Sequence, residues 1–199
     1  MNTVTIEKKL FDFNELSNEV QQKVIEKNFD INVDYNWYES IIDEFKENEY
    51  FDITNVYFSG FWSQGDGAMF EYNNIENKLF SEFLDTLKLS PLRRAIIENN
   101  TYFYAKGTQK GHYYHEKSCG HNTDFNIDNF NWLRHERTYK ALENILIDFE
   151  AYVIQRYEDF CTNLYSTLEK EYNYQTSEEA IKESILSNEY QFEIDGTIY

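Results

Sequence analysis

The densest run of side chains able to do chemistry is His112, Tyr113, Tyr114, His115 and Glu116. Imidazoles and a carboxylate are the groups that move protons and ligate metals near neutral pH, and phenols add stacking surface. A second group lies upstream in Ser63-Gln64-Gly65-Asp66-Gly67. There the backbone N–H groups of a glycine-containing loop and the Asp66 carboxylate could hold a ligand or a cation. That loop lacks the Lys and Ser/Thr of a phosphate-binding loop and the spaced acids of a calcium loop, so a structural turn is the simpler account of it. His112 to Lys117 reads as a strand, which puts His112, Tyr114 and Glu116 on one face and Tyr113 and His115 on the other. Both histidines then cannot bind one metal without a bulge, and neither Cys119, His121 nor Asp66 completes a common zinc spacing. No cofactor or metal is expected, and no Ser-His-Asp order, nucleophile elbow or thiol motif points to an enzyme. A ligand held between the two segments would stack on Trp62, Tyr113 and Tyr114 and hydrogen-bond to Gln64, Asp66 and His115.

These residues must be positioned by two hairpins. Val56 to Trp62 and Ala68 to Tyr72 are aromatic, alternating strands joined through Asp66-Gly67, and Gly60 marks a bulge or a close approach. Tyr102 to Lys106 and His112 to Lys117 form the second hairpin, with Gly107 and Gly111 bounding its turn. Shorter strands are expected at Thr3 to Ile6 and Phe125 to Ile127. Apolar positions at steps of three and four predict a helix through Leu16, Val20 and Val24 to about Asn28. The next helix turns Trp37, Ile41, Ile42 and Phe45 inward and Glu39, Asp43, Glu44 and Glu47 to water. A third spans about Asn74 to Lys88, and a fourth starts at Ser90-Pro91, an N-cap followed by proline at the first helical position. Its Arg93 and Arg94 are expected to pair with nearby carboxylates. The longest helix begins near Leu133, with Arg134 and Arg137 at its start, and carries Phe149, Val153, Tyr157, Phe160 and Leu164 to Tyr172. The last runs from Ser177 to Asn188 behind a capping box, and Tyr190, Phe192 and Ile194 form a final strand that Asp195-Gly196 turns back on itself. The fold class is α+β: a single domain, 1–199, with a mainly antiparallel sheet of hairpins, joined by the final strand, covered by the long C-terminal helix and several shorter amphipathic helices.

Composition narrows the function. The chain has 199 residues, 41% of them hydrophobic and 18% aromatic, enough for a sizeable core. Lys and Arg total 18 against 36 Asp and Glu, a net charge of −18 that repels nucleic acid and acidic membranes. Direct binding to nucleic acid or membrane is therefore not expected. The same charge gathered on one face could occupy another protein's nucleic-acid groove. No apolar run reaches the length of a membrane span, the first residues lack the layout of a secretory signal, and Cys119 and Cys161 form no CxxC, so buried free thiols in the cytoplasm are expected.

SGFWSQGDGAMFEY at 59–72, GHYYHE at 111–116 and LEKEYNYQTSEEAIKESILSNEYQFEIDG at 168–196 resemble an uncharacterised family of small phage and prophage proteins. Some of that family are loosely labelled antitoxins. The resemblance covers most of the chain, is weakest from Asn73 to Tyr102, and implies no catalytic residues. Gln64, Asp66, His112, His115 and Glu116 carry over as motif positions only. With the charge, it implies a phage accessory protein acting in the host cytoplasm. Its partner would be a host protein or complex that itself binds nucleic acid, inhibited as an anti-CRISPR or anti-restriction protein inhibits. Three alternatives stand beside it: an antitoxin-like binder of a toxin, a small-ligand or nucleotide-binding module, and a metal-dependent hydrolase using His112, His115 and Asp66.

Overall fold

A computed structural model describes residues 7–127 and 136–199. The chain divides into two compact units, Met1–Ser40 with Leu168–Tyr199, and Ile41–Thr167. Each has its own apolar core. The expected strand at Thr3 to Ile6 and the expected helix start at Leu133 and Arg134 lie outside the described residues.

In the larger unit, β2 (Phe51–Phe58), β3 (Ala68–Ile75), β4 (Thr101–Gln109) and β5 (Cys119–Ile127) form one antiparallel sheet in chain order; β1 (Phe11–Asp12) belongs to the other unit. Alternation sends Phe70 and Tyr72 inward, and a register shift returns Ile75 to the same side, where they meet Leu79, Phe80, Phe83 and Leu84 of α3 (Asn77–Thr86). The same core takes Phe149, Val153, Tyr157 and Cys161 from α5 (Glu136–Gln175), four residues apart and so on one helix face. Phe149 is the hub, with ring centroids 4.7 Å from Phe80, 5.2 Å from Phe83 and 5.0 Å from Phe125. Between α3 and β4 runs α4 (Pro91–Asn100), capped by Ser90 with proline in its first turn, as expected. Its Arg94 pairs with Asp85 and Glu98. The fold is thus α+β, antiparallel and covered by the long helix, as the sequence predicts.

Within this unit the structure redraws the second hairpin. β4 runs straight through Gly107 to Gln109, and the returning strand is Cys119–Ile127 rather than His112 to Lys117. Gly107 is a close approach and not a turn: a Cβ there would lie 2.2 Å from Tyr72 Cε1 and 3.0 Å from Cys119 Sγ. The turn glycine is Gly111, at φ +89°. In the first hairpin β2 stops at Phe58, four residues short of Trp62, and Gly60 lies in the connection. The register shifts of β2 fall between Phe51 and Asn55 instead. Because β3 persists to Ile75, α3 starts at Asn77, later than Asn74.

The smaller unit holds β1 (Phe11–Asp12), α1 (Asn18–Lys27), α6 (Glu178–Ser187) and β6 (Gln191–Phe192). Ser17 and Ser177 cap the two helices as expected, accepting from Val20 N and Ala180 N. Phe13, Val24, Ile181, Ile185 and Phe192 form its core. The final strand does not join the main sheet. It pairs with β1, Phe192 opposite Phe11, and Ile198 folds back on Phe192 across the Asp195-Gly196 turn. The remaining helix, α2 (Glu39–Lys46), spans the division between the units. Among the described residues no helix is long and apolar enough to cross a membrane.

One buried hydroxyl ties helix to sheet. Tyr157 donates to Phe70 O at 2.9 Å and accepts from Phe70 N at 3.2 Å. β3 and β4 are in register only at Tyr72 and Gly107, so the phenol stands in for the strand partner that Phe70 lacks on that side. Tyr157→Phe removes both bonds and leaves two buried backbone groups unpaired. A loss of about 2–4 kcal/mol in unfolding free energy is expected in urea titrations. A loss below 0.5 kcal/mol would show that the pair contributes nothing.

Candidate functional site

The site residues read from the sequence sit on the two connections at one end of the sheet, 59–67 and 110–118, both within the larger unit. The first is a self-contained turn. Asp66 Oδ2 accepts from Trp62 N at 3.0 Å and Ser63 N at 2.6 Å, and Asp66 N donates to Ser63 O. Ser59 closes the base through Gly67, its N–H donating to Gly67 O and its hydroxyl accepting from Gly67 N. From α5, Tyr165 donates to Gly60 O and packs against Phe61, whose ring is edge-on to Trp62. Gly60 itself marks no close backbone approach: a Cβ there would meet the Asp66 carboxylate at 3.4 Å, an ordinary contact.

The second connection is also internally bonded. Lys110 N donates to Ser118 O, Ser118 N to His115 O, and His115 Nδ1 accepts from Lys117 N at 3.2 Å to cap a 3-10 turn over Glu116–Ser118. His112 and Tyr113 are exposed, whereas Tyr114 and His115 are half-buried. The strand alternation expected for His112 to Glu116 therefore does not operate, since these residues are not in a strand.

The two connections meet. A Cβ on Gly67 would lie 2.7 Å from His115 Cβ and 3.0 Å from Tyr114 O, so only glycine admits this contact. Gly65, at φ +101°, lies against the Tyr113 ring. Tyr114 stacks flat on Tyr57, centroids 5.3 Å apart, and Tyr113 stacks on His115. Asp66, Tyr113, Tyr114 and His115 are thus brought to one junction, with Trp62 and Gln64 exposed on the first connection. At the point of contact the junction is packed rather than open, and one Asp66 oxygen is taken by its own turn. Among the described residues no group of three His, Cys, Asp or Glu side chains is arranged to hold a metal ion.

The residue that organises this end is Glu71, which sequence reasoning passed over. Its Oε1 accepts from Gln109 N at 3.0 Å; its Oε2 accepts from Asn55 Nδ2 at 2.9 Å and the Tyr57 hydroxyl at 3.2 Å. The Gln109 N–H, then Asn55, hold its carboxyl below the usual range against partial burial. Glu71 lies inside the SGFWSQGDGAMFEY stretch, and the alternation of β3 already sets it opposite Phe70 and Tyr72. That alternation was the signal available.

Behind the junction lies a buried polar cluster. The Tyr72 hydroxyl is 2.9 Å from His121 Nδ1, the His121 ring meets Tyr157 edge-on at 4.8 Å, and Cys119 and Cys161 are both buried free thiols. Burial pushes the Cys161 thiol up to about 12 and raises Cys119 and both phenols. Burial first, then Lys110, lowers His121, with Glu150 opposing. These shifts keep all five groups neutral near pH 7, which suits packing and not nucleophilic attack.

The chain belongs to a family described as a domain of unknown function, DUF8835, whose profile matches residues 32–178. No curated protein and no solved structure matches it. Both connections, and Glu71, fall within the matched span.

Two outcomes test this arrangement. Glu71→Gln places an amide donor where the carboxylate accepts three bonds, so a loss of about 1 kcal/mol and faster amide exchange across 110–118 are expected by hydrogen-exchange mass spectrometry. Unchanged exchange there would remove Glu71 from this role. A histidine held neutral in the fold takes up protons first in the unfolded chain. Stability should therefore be full above pH 6.5 and fall as the pH drops from there toward the lowered folded value. The decline should be shallower in His121→Asn.

Proposed function

We propose that this chain is a phage-encoded acidic accessory protein that binds and inhibits a host protein. A nucleic-acid-handling defence complex of the CRISPR or restriction type is the target its charge fits best. The observation that carries the reading is an acidic helix edge with little compensation. Glu39, Asp43, Glu44 and Glu47, on and just after α2, are all exposed, and Lys46 is the one basic residue of that helix. Asp43 and Glu47 are one turn apart, about 6 Å along the axis, on the edge that also carries Glu39 and Glu44. Six ion pairs form among the described residues, and none includes these four acids. With 36 acids against 18 bases, the surplus is left to act outward. A row of unpaired carboxylates is complementary to the Lys/Arg-lined groove of a nucleic-acid-binding protein and speeds its capture.

Affinity capture on the tagged chain from host lysate, with and without nuclease, tests the reading. One nucleic-acid-handling complex retained equally in both is expected, and its nucleic-acid binding should fall when the chain is added. Asp43→Asn, Glu44→Gln and Glu47→Gln together should slow capture on the order of tenfold at low salt and little at high salt. Retention of no host protein would overturn the proposal.

A further inference from the structure

We infer that the cleft where β3 and β4 part is a pocket for an arginine side chain of the partner protein, with the Tyr102 ring as its wall. This rests on the inhibitor reading above and names how the partner is recognised.

The cleft follows from the sheet. β3 and β4 are in register only at Tyr72 and Gly107, and beyond that point the end of β3 and the start of β4 leave a cavity of about 340 Å³. Asn74, Glu76 and Asn77 line one side, Thr101 and Tyr102 the other, and Ile75, 2% exposed, closes the base. The backbone here is fixed, since Glu76 N donates to Tyr50 O at 2.9 Å. The neighbouring cation, Lys78, is drawn away by Glu49 and lies over the Tyr50 ring. Glu76 enters no ion pair among the described residues.

This lining selects a guanidinium. Glu76 brings a carboxylate and Asn74 and Asn77 bring amide carbonyls to the lining, acceptors of the kind a planar five-donor group uses, and the Tyr102 phenol offers a face for it to stack on. An ammonium would use the charge but neither the plane nor the fork. Tyr102 is 61% exposed and Tyr104, two residues on and on the same sheet face, is 45% exposed. A pair of exposed tyrosines beside this cavity suits an anchor side chain reaching in from a protein surface. The net charge of −18 favours a basic donor of that anchor.

The test uses the full chain with labelled oligo-arginine and oligo-lysine peptides of equal length, followed by fluorescence anisotropy at physiological salt. Oligo-arginine should bind more tightly, and Glu76→Gln or Tyr102→Ala should each weaken it about tenfold and erase the preference over oligo-lysine. Glu179→Gln with Glu183→Gln, exposed acids on α6, should change neither peptide's binding beyond the general salt effect. Thermal melts check that the variants fold. Equal affinity for the two peptides, or equal weakening by the α6 control, overturns the pocket, as does tighter retention of single-stranded oligonucleotide than of peptide by this tyrosine face. The two proposals fail separately. A host complex captured undiminished by Glu76→Gln and Tyr102→Ala removes the pocket and leaves the inhibitor, whereas arginine preference with no host complex captured removes the inhibitor and leaves the pocket.

Discussion

The larger unit depends on a single phenol reaching from a helix to a strand. Tyr157 takes both backbone groups of Phe70 from 87 residues away, and its ring lies 4.4 Å from that of Phe70. An unpaired buried amide and carbonyl would cost more than a typical hydrogen bond returns, so this contact allows β3 and β4 to diverge. At one end of the sheet the two connections meet at Gly67; at the other the parting of β3 and β4 leaves the cleft beside Tyr102.

Glycine and tyrosine work as complementary parts of this arrangement. Gly107 has no side chain, so the Tyr72 ring can lie against β4 and bring its hydroxyl to His121. Gly67 has none, so the His115 backbone can close on the first connection. In each case a ring or a neighbouring chain fills what a Cβ would occupy, and no alternative residue gives the same distance. The polar atoms carried into the interior by these rings are all bonded to one another or to backbone, which is the condition for burying them.

How much of this was legible follows from the range of each interaction. Helix ends were readable because their causes are local: Ser17, Ser90-Pro91 and Ser177 cap helices whose first turns they adjoin. The core faces of α3 and α5 were readable from three- and four-residue spacing, and the Asp195-Gly196 turn from its own chemistry. Gly107 was misread because a glycine beside aromatic strands looks the same whether it turns the chain or admits a ring from another strand. The partner of the final strand, Phe11, is 181 positions from Phe192, and no local pattern links them. Of the candidate site, its residue types and its gathering at the loop ends were readable, but the hub was not. Glu71 sits on the polar side of an alternating strand, where a carboxylate ordinarily needs no explanation. Only its three donors, brought from β2 and the end of β4, distinguish it from a solvated acid.

Charge and fold are separable in this protein, which makes the surface interpretable. Both cores are built from apolar and aromatic side chains, and edge-on and stacked ring pairs contribute about 0.5–1.5 kcal/mol each beyond the area they bury. The exposed acids of α2 belong to neither core, and surface ion pairs contribute little to stability. Removing them changes the outward field while leaving the packing intact. A large surplus of like charge destabilises a compact chain through self-repulsion, and here the aromatic cores offset it. The fold would therefore tolerate a more neutral exterior, since the acidic edge of α2 is not what holds the chain together.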